Sequence, residues 1–334
     1  MSDSTQPKQD WILGPGCNHP LGRLWNSFQL KLLGKANDSS SKARFSEFRL
    51  KSLGPTESEI SQCLFDFEQI NVVTNPGLLK SIEARFKDKD GRSLQGLLTA
   101  DINSRVLVDV ESEFPEAPVL ISEAIALLDS LVPWTGKLMK TMISWVIPIY
   151  HEKYNRPFRR GFSHLDYLGT IFTTFVERKQ QSEELRRSVL AVDLAHELGH
   201  QALMLYQLTD RILLTPLEAP VYSSVRRTER PAIFALHACV AAAYMIETCV
   251  AIERSPITSK IERDFSRNSI SELVPHQRVG LESLRKSAKF TQIGQLILED
   301  LERQLHEIRV QPCAHAIEPN LQSSSLSYFG LLAP

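Results

Sequence analysis

The segment SEELRRSVLAVDLAHELGHQALMLYQL, residues 182–208, carries the strongest pattern in the chain. Its apolar residues recur every three or four positions, without proline and with a single glycine, which predicts one long helix. The segment contains His196-Glu197-Leu198-Gly199-His200, in which two histidines stand at positions i and i+4. Residues at this spacing share one face of a helix, so both imidazoles can bind a single cation. The segment therefore predicts a metal site on a helix.

Glu197 lies between the two histidines in sequence and about 100° around the predicted helix from His196. From that position its carboxylate can reach a metal-bound water or support the metal ligands through a hydrogen bond. In a zinc hydrolase it would be the general base on the bound water. In an oxygenase it would order a ligand or the substrate. The sequence alone leaves these two roles open.

Composition narrows the class of protein. The chain has 334 residues, of which 43% are hydrophobic and 23% charged, which is typical of a globular protein that buries a sizeable core. A net charge of −1 gives no bulk electrostatic reason to expect nucleic acid or an anionic membrane as a partner. Five cysteines without CxxC spacing, together with a polar N-terminus that lacks a signal-peptide pattern, predict reduced thiols and a cytoplasmic protein.

The remaining patterns predict a mainly α protein with a small β component. Further helices are expected over residues 21–33, 56–73, 78–86, 119–131, 232–253, 274–287 and 292–308. Strands are expected over residues 106–110, 144–150 and 167–175, the second of them at a sheet edge or bulge because it contains Pro148. We expect a proline-punctuated loop over residues 215–228.

Three regions are predicted along the chain. Residues 1–140 would form an N-terminal helical region that serves as a substrate dock, a lid or a dimer surface. Residues 141–310 would form the metal-binding catalytic domain, and a few sheet residues before the metal helix would lie beneath it. Residues 311–334 are Ser-rich and would be a loosely held C-terminal tail.

His237 is the preferred candidate for a third metal ligand. It stands in the middle of the predicted apolar helix 232–253, where an unpaired buried imidazole would cost roughly a few kcal/mol. A backbone carbonyl or a cation could satisfy it, and we favour the cation because this helix follows the two-histidine segment by one loop. Glu247 is the carboxylate alternative, although it lies roughly 80° away from His237 around the same helix.

Two zinc-peptidase patterns fit less well. Glu218 would be the downstream glutamate of a gluzincin-like site, but it lies between Pro216 and Pro220 and is therefore expected on a loop. The metzincin pattern also fails, because neither the expected glycine nor a third histidine follows His200.

The residues around the motif resemble a known family. The HExxH segment 196–200, the proline-containing loop and Arg230-Pro231, with His237 seven residues after the arginine, resemble the HExxH-motif proteins that modify ribosomally made peptide natural products. The resemblance covers roughly residues 145–255. Ala238 stands where the family is expected to have glycine, and Gly199 where a larger residue is commoner.

The resemblance implies an Fe(II), 2-oxoglutarate-dependent hydroxylase that acts on the β-carbon of an amino-acid side chain, with a helical metal-binding core and no cupin barrel. It implies that His196, His200 and His237 bind the iron and that Arg230 binds the 2-oxoglutarate carboxylate. Iron(II) accepts imidazole ligands, and three protein ligands leave a face open for the keto acid and oxygen. Arginine offers a planar, bidentate fork to a carboxylate, although Arg230 could equally form a surface salt bridge.

Three hypotheses follow from these patterns. The first is an iron oxygenase of natural product biosynthesis that acts on a peptide or an amino-acid-derived substrate. The second is a zinc-dependent HExxH hydrolase or peptidase. The third is a non-catalytic helical binding protein. We expect neither nucleic acid nor a membrane as a partner, and a homodimer is compatible with the sequence.

Overall fold

The computed structural model describes residue 24 and residues 41–86, 104–107, 109–151, 161–174 and 182–310. Within these ranges the chain is mainly helical with a small sheet, as predicted, and the sheet does not close into a barrel. Apart from Leu24, the helix predicted over residues 21–33 lies outside the described residues, as does the predicted C-terminal tail.

The helices of the described ranges differ greatly in length. In chain order they are α1 (Ser41–Ser52), α2 (Glu57–Ser61), α3 (Pro76–Phe86), α4 (Val110–Glu113), α5 (Ala117–Leu131), α6 (Pro133–Met142), α7 (Glu183–Thr209), α8 (Ala232–Arg254), α9 (Lys260–Ser287) and α10 (Gln292–Val310). The structure confirms the helices predicted over residues 78–86, 119–131, 182–208, 232–253 and 292–308, to within one or two residues at most ends.

The strands form one small mixed sheet and one hairpin. The sheet contains β1 (Asn71–Val72), β2 (Ser104–Val106), β3 (Trp145–His151), β4 (Gly161–Phe162) and β5 (Thr170–Thr174). Strand β3 pairs in parallel with β1 and β5, whereas β2 is antiparallel to β3 and β4 is antiparallel to β5. The hairpin consists of β6 (Pro220–Ser223) and β7 (Thr228–Pro231).

Helix α7 is anchored to the sheet by a buried glutamine. The Gln201 side chain accepts a hydrogen bond from the Gly169 backbone N–H at 2.8 Å and donates one to the Thr170 carbonyl at 2.9 Å. These backbone groups lie where β5 begins, so the side chain replaces a sheet partner there. The short sheet therefore supports one side of α7, as the sequence predicts.

Helix α8 lies at the centre of the helical layer. It packs against α7 on one side, and its backbone carbonyls accept side-chain hydrogen bonds from α9 and α10, at Cys239 from Gln277 and at Ala243 from Gln304. Among the described helices it alone is long and apolar enough to span a membrane by length and composition. Since 78% of its most apolar window is buried, its contacts are those of a core helix.

Two local predictions in the N-terminal half are wrong. The capping box of Thr56 and Glu59 forms as expected, but α2 ends at Ser61 and the chain turns, so that Phe65 and Phe67 pack edge-on against Trp145. The helix predicted over residues 56–73 is therefore short, and its last part is strand β1. The strand predicted over residues 106–110 is also misplaced, because β2 covers Ser104–Val106. Asp109 caps α4, so the chain becomes helical from Val110 onward.

Pro148 is not at a sheet edge, contrary to the prediction. Strand β3 is interior, with β5 along one side and β1 followed by β2 along the other. The Val73 N–H donates to the Val146 carbonyl and the Leu107 N–H donates to the Pro148 carbonyl. Pro148 therefore lies where β1 gives way to β2, and its missing N–H costs the ladder little.

Several elements were not predicted or begin elsewhere than predicted, among them α6, the β6–β7 hairpin and α9. The turn after α5 leads directly into α6, which begins with Pro133 in its first turn. The loop expected over residues 215–228 contains β6 and leads into β7. Helix α9 begins at Lys260 behind a Ser259–Glu262 capping box, so Pro275 lies inside this helix and not in its first turn.

Buried apolar side chains from both sides of residue 140 belong to one hydrophobic core. Phe45 and Leu120 come from the first region, and Leu198 and Val240 from the second. The proposed division of the chain at residue 140 stays a prediction.

Gly199 permits the close approach of α7 and α8. A Cβ atom at this position would lie 3.0 Å from the Ala241 Cα and 3.2 Å from the Val240 carbonyl oxygen. We expect Gly199→Leu to overpack this contact and to lower the free energy of unfolding by about 1–3 kcal/mol in urea titrations. Gly77→Leu, on the exposed first turn of α3, is the control. Equal stability of the two variants would contradict the close packing.

Candidate metal centre

Helix α7 places the two motif histidines side by side. It begins behind Ser182, whose hydroxyl accepts from the Leu185 N–H, and two glutamates follow in the first turn. The Nε2 atoms of His196 and His200 lie 3.1 Å apart, and the two ring planes are nearly perpendicular at 87°. The structure thus brings together the two residues that the motif predicts as ligands.

Helix α8 brings His237 against the same site. The His237 Nδ1 atom lies 3.2 Å from the Nδ1 of His200, and its Nε2 lies 2.8 Å from the Oε1 of Gln207 on α7. All three predicted histidine ligands are therefore in one cluster. His237, however, contacts the ring nitrogen of His200 that points away from His196.

A methionine of α8 also contacts His196. The thioether sulfur of Met245 lies 3.0 Å from the His196 Nδ1, where it can accept a weak hydrogen bond. If the Nδ1 of His196 carries the proton, its Nε2 presents a lone pair to His200. The His196 side chain is 34% exposed, so solvent and small molecules can reach this side of the cluster.

The His196–His200 pair fits the edge of a metal coordination sphere. Nitrogen ligands at about 2.1 Å from a cation lie about 3.0–3.4 Å from one another, depending on the geometry. The observed 3.1 Å between the two Nε2 atoms falls in this range. Three His, Cys, Asp or Glu side chains in a metal-binding arrangement are found neither at this site nor at any other place in the described ranges. In the observed arrangement, His196 and His200 can therefore bind one cation through their Nε2 atoms, whereas His237 is not placed to bind it.

Burial keeps the inner two imidazoles neutral. The pKa of His200 lies well below its ordinary value, mainly because of burial and then because of the nearby His196 and Arg230. The pKa of His237 is also well below its ordinary value, from burial and from His200. Neutral imidazoles have a free lone pair, which is the form that metal binding requires.

Glu197 is buried beside the histidine pair. Its Oε2 accepts a hydrogen bond of 2.9 Å from the Ser163 hydroxyl, and its Oε1 lies 3.9 Å from the His196 Nε2. Burial raises the pKa of Glu197 to about 8, against the opposing effect of Ser163 and with a further contribution from Asp193. The carboxyl group is thus poised to exchange a proton near neutral pH.

Strand β4 packs closely against Glu197 at Gly161. A Cβ atom on Gly161 would lie 2.5 Å from the Phe172 carbonyl oxygen and 3.2 Å from the Glu197 Oε1. Only glycine allows this approach of the strand. The segment Gly161-Phe162-Ser163 thereby covers the carboxyl group and supplies its hydrogen-bond donor.

The hairpin holds Arg230 near His200. Arg230 lies on β7 opposite Val221, and its guanidinium carbon is 5.5 Å from the centre of the Phe234 ring. The charge of Arg230 contributes to the lowered pKa of His200, so the guanidinium lies within electrostatic reach of the cluster. The side chain is half-buried. A cation in this position suits an anionic ligand of the metal.

The two alternative carboxylates lie elsewhere. Glu218 is exposed on the turn before β6, as predicted. Glu247 is mostly buried, and its Oε2 accepts a hydrogen bond of 3.3 Å from the Thr135 hydroxyl of α6. This hydrogen bond connects Glu247 to α6 and not to the histidine cluster.

Three residues of the site were missed in the sequence analysis, although helical spacing could have indicated two of them. Gln207 follows His200 by seven residues and so lies about two turns further along the same helical face, and Met245 follows His237 by eight residues, about two turns further along α8 and about 80° around it. Ser163 lies 34 residues before Glu197, and no local pattern predicts their contact.

No protein-family model matches the chain, and no curated protein matches it either. The candidate site is consequently argued from its own geometry. The resemblance to the HExxH family continues to rest on the motif, the Arg-Pro pair and the position of His237.

The burial of Glu247 leads to a prediction about how the free energy of unfolding depends on pH. Burial raises its pKa to about 8, whereas an unfolded glutamate titrates near about 4.3. Between these two pH values the folded state binds the additional proton, so Glu247 makes the protein less stable as pH rises. We expect the stability advantage of Glu247→Gln over the wild type to grow from pH 5 to 8, by up to about 1.4 kcal/mol per unit.

Urea titrations at several pH values measure this difference. Glu218→Gln makes the same substitution at an exposed position and serves as the control. An advantage of Glu247→Gln that stays constant with pH would show that the carboxyl group is already ionised in the folded protein.

Proposed function

We propose that the chain is a metal-dependent enzyme whose cation binds to the Nε2 atoms of His196 and His200. The observation that carries this proposal is the 3.1 Å separation of these two atoms on one face of α7. If both Nε2 atoms carry lone pairs they repel each other at that distance, and a shared cation removes the repulsion. The exposed side of His196 provides a route for substrate.

In its specific form, the proposal is a non-haem Fe(II), 2-oxoglutarate-dependent oxygenase. Bound iron would supply the activation of oxygen, with the keto acid as the co-substrate. Arg230 supports this form, because its positive charge lies within electrostatic reach of His200 and its guanidinium can bind the distal carboxylate of 2-oxoglutarate through two parallel hydrogen bonds. The proposed reaction is hydroxylation of a β-carbon in a peptide residue or a related small intermediate.

Glu197 would orient the reactants and not bind the metal. Its Oε1 is 3.9 Å from the His196 Nε2, which exceeds the separation of adjacent ligands estimated above. Ser163 occupies the Oε2, so the Oε1 is the oxygen that faces the site. This oxygen can hold the substrate, or a water on the cation, by a hydrogen bond.

A zinc-dependent hydrolase is the second candidate, and Glu197 is the observation that favours it. The Glu197 Oε1 lies 3.9 Å from the His196 Nε2, so once a bound cation lowers the pKa of this carboxyl it can take a proton from a metal-bound water and pass it to a leaving group. Arg230 has no required role in that reaction. A helical binding protein without catalysis is the remaining alternative, since the cluster can also be satisfied by hydrogen bonds.

The proposed partners follow from the site. We propose a peptide or an amino-acid-derived substrate, a place in natural product biosynthesis and a cytoplasmic location. Nucleic acid and membrane remain unexpected, given a net charge of −1 and the burial of the apolar helix α8. A homodimer is compatible with this proposal.

The oxygenase is tested by reconstitution with iron. Protein purified without oxygen and loaded with Fe(II) should bind 2-oxoglutarate and develop the weak visible charge-transfer band of a chelated keto acid. His196→Ala and His200→Ala should lose both the metal and the band, because each removes half of the pair. Zn(II)-loaded protein should show no band. A wild type without band or succinate formation, but with zinc-dependent peptide hydrolysis, would identify the hydrolase.

Arg230 is tested separately from the metal. A bidentate contact between arginine and a carboxylate contributes roughly 2–3 kcal/mol in a partly desolvated site, so Arg230→Ala should weaken 2-oxoglutarate binding by about thirtyfold to more than a hundredfold. The bound iron should remain, since Arg230 does not contact it. Arg226→Ala, four residues earlier on the hairpin turn and exposed, is the matched control. Equal affinity of the two variants for 2-oxoglutarate would remove Arg230 from the site.

A further inference from the structure

Gln207, His237 and His200 form a hydrogen-bonded chain that ends at the proposed metal position. The Gln207 Oε1 lies 2.8 Å from the His237 Nε2, and the His237 Nδ1 lies 3.2 Å from the His200 Nδ1. The Nε2 of His200 then faces the Nε2 of His196. His237 thus contacts Gln207 with one ring nitrogen and His200 with the other, and His200 contacts His237 with one ring nitrogen and faces His196 with the other.

The amide oxygen of Gln207 sets the direction of this chain. In this orientation of the Gln207 amide its oxygen faces the His237 Nε2, and because a carbonyl oxygen accepts hydrogen bonds and cannot donate, that nitrogen carries the proton. A neutral imidazole has one N–H, and the His237 Nδ1 is therefore an acceptor for the His200 Nδ1–H. The lone pair of His200 is left on its Nε2, the atom that faces His196. The same protonation leaves His237 no free lone pair for a cation.

We propose that Gln207 and His237 are positioning residues that fix the tautomer of His200 and present its Nε2 to the cation. This inference rests on the proposed metal-dependent function. It gives His237 a role different from the ligand role that the family resemblance implies. The metal would then be held by two histidines, and its other positions would remain open to water and substrates.

The surroundings explain why such a chain is needed. His237 is 9% exposed and comes from the apolar helix α8, where it could not be left without a partner. Gln207 lies at the half-buried end of α7, one residue before the exposed Leu208. It links the buried imidazole to the surface of the same helix that carries both proposed ligands.

The protonation of each ring nitrogen can be measured directly. In Zn(II)-loaded protein labelled with ¹⁵N-histidine, long-range ¹H–¹⁵N spectra distinguish protonated, free and metal-bound nitrogens. We expect metal-bound Nε2 atoms at His196 and His200, a protonated Nε2 at His237 and no metal at the His237 Nδ1. Metal at that Nδ1 would overturn the inference and restore His237 as a ligand.

Variants test the same chain through metal affinity. Second-shell partners of metal-binding histidines typically contribute a factor of about 10–100 in affinity. Gln207→Leu removes the acceptor and should weaken Zn(II) binding by that factor, measured by competition with a chromophoric chelator, at an unchanged stoichiometry of one ion per chain. Gln207→Glu keeps an acceptor oxygen and should restore most of the affinity.

The control is Gln295→Leu on α10, which removes a glutamine that hydrogen-bonds to Glu299 on the surface. Gln207→Leu with the affinity of this control would overturn the inference. His237→Ala should still bind one Zn(II) with weakened affinity, and complete loss of binding would again indicate a ligand. A wild type that binds neither Zn(II) nor Fe(II) would overturn the proposed function together with this inference, whereas metal on the His237 Nδ1 overturns the inference alone.

Discussion

The close packing of α7 and α8 is the contact on which the site depends. Because Gly199 lacks a side chain, the backbone of α7 can approach Ala241 of α8, and the next residue of α7 is His200. At this helix separation the His237 ring reaches His200, and Met245 reaches His196. A larger residue at position 199 would separate the helices and open both contacts. Glycine at position 199 thus has a structural reason in this chain.

Much of the fold could be predicted because the long helices carry their own signal. Helix α7 has a capping serine, acidic residues in its first turn and apolar residues at helical spacing, and α8 is almost wholly apolar. The two histidines at positions i and i+4 predict a metal site as soon as their segment is predicted to be helical, because this spacing places them on one face. The proximity of His237 could also be inferred, because a polar side chain in an apolar helix must have a partner.

The incorrect predictions share one cause, which is that distant contacts overrode local preference. The pattern over residues 56–73 favours a helix, yet Phe65 and Phe67 pack on Trp145, about 80 residues further along the chain. Pro148 is tolerated in an interior strand because the C-terminal ends of β1 and β2 meet beside it. The Ser163–Glu197 hydrogen bond likewise depends on the folding of β4 onto α7, which no local pattern encodes.

The balance of charge distinguishes the two proposed chemistries. Without a cation the buried groups avoid charge, since His200 and His237 are neutral and the raised pKa keeps Glu197 protonated. A dication beside Glu197 would lower that pKa and favour the carboxylate. Arg230 adds positive charge within electrostatic reach of His200, and Asp193 adds negative charge near Glu197. A carboxylate of 2-oxoglutarate would pair with the guanidinium of Arg230, whereas a hydroxide on the cation would not require it. The position of Arg230 is therefore a feature that the oxygenase proposal explains and the hydrolase proposal does not.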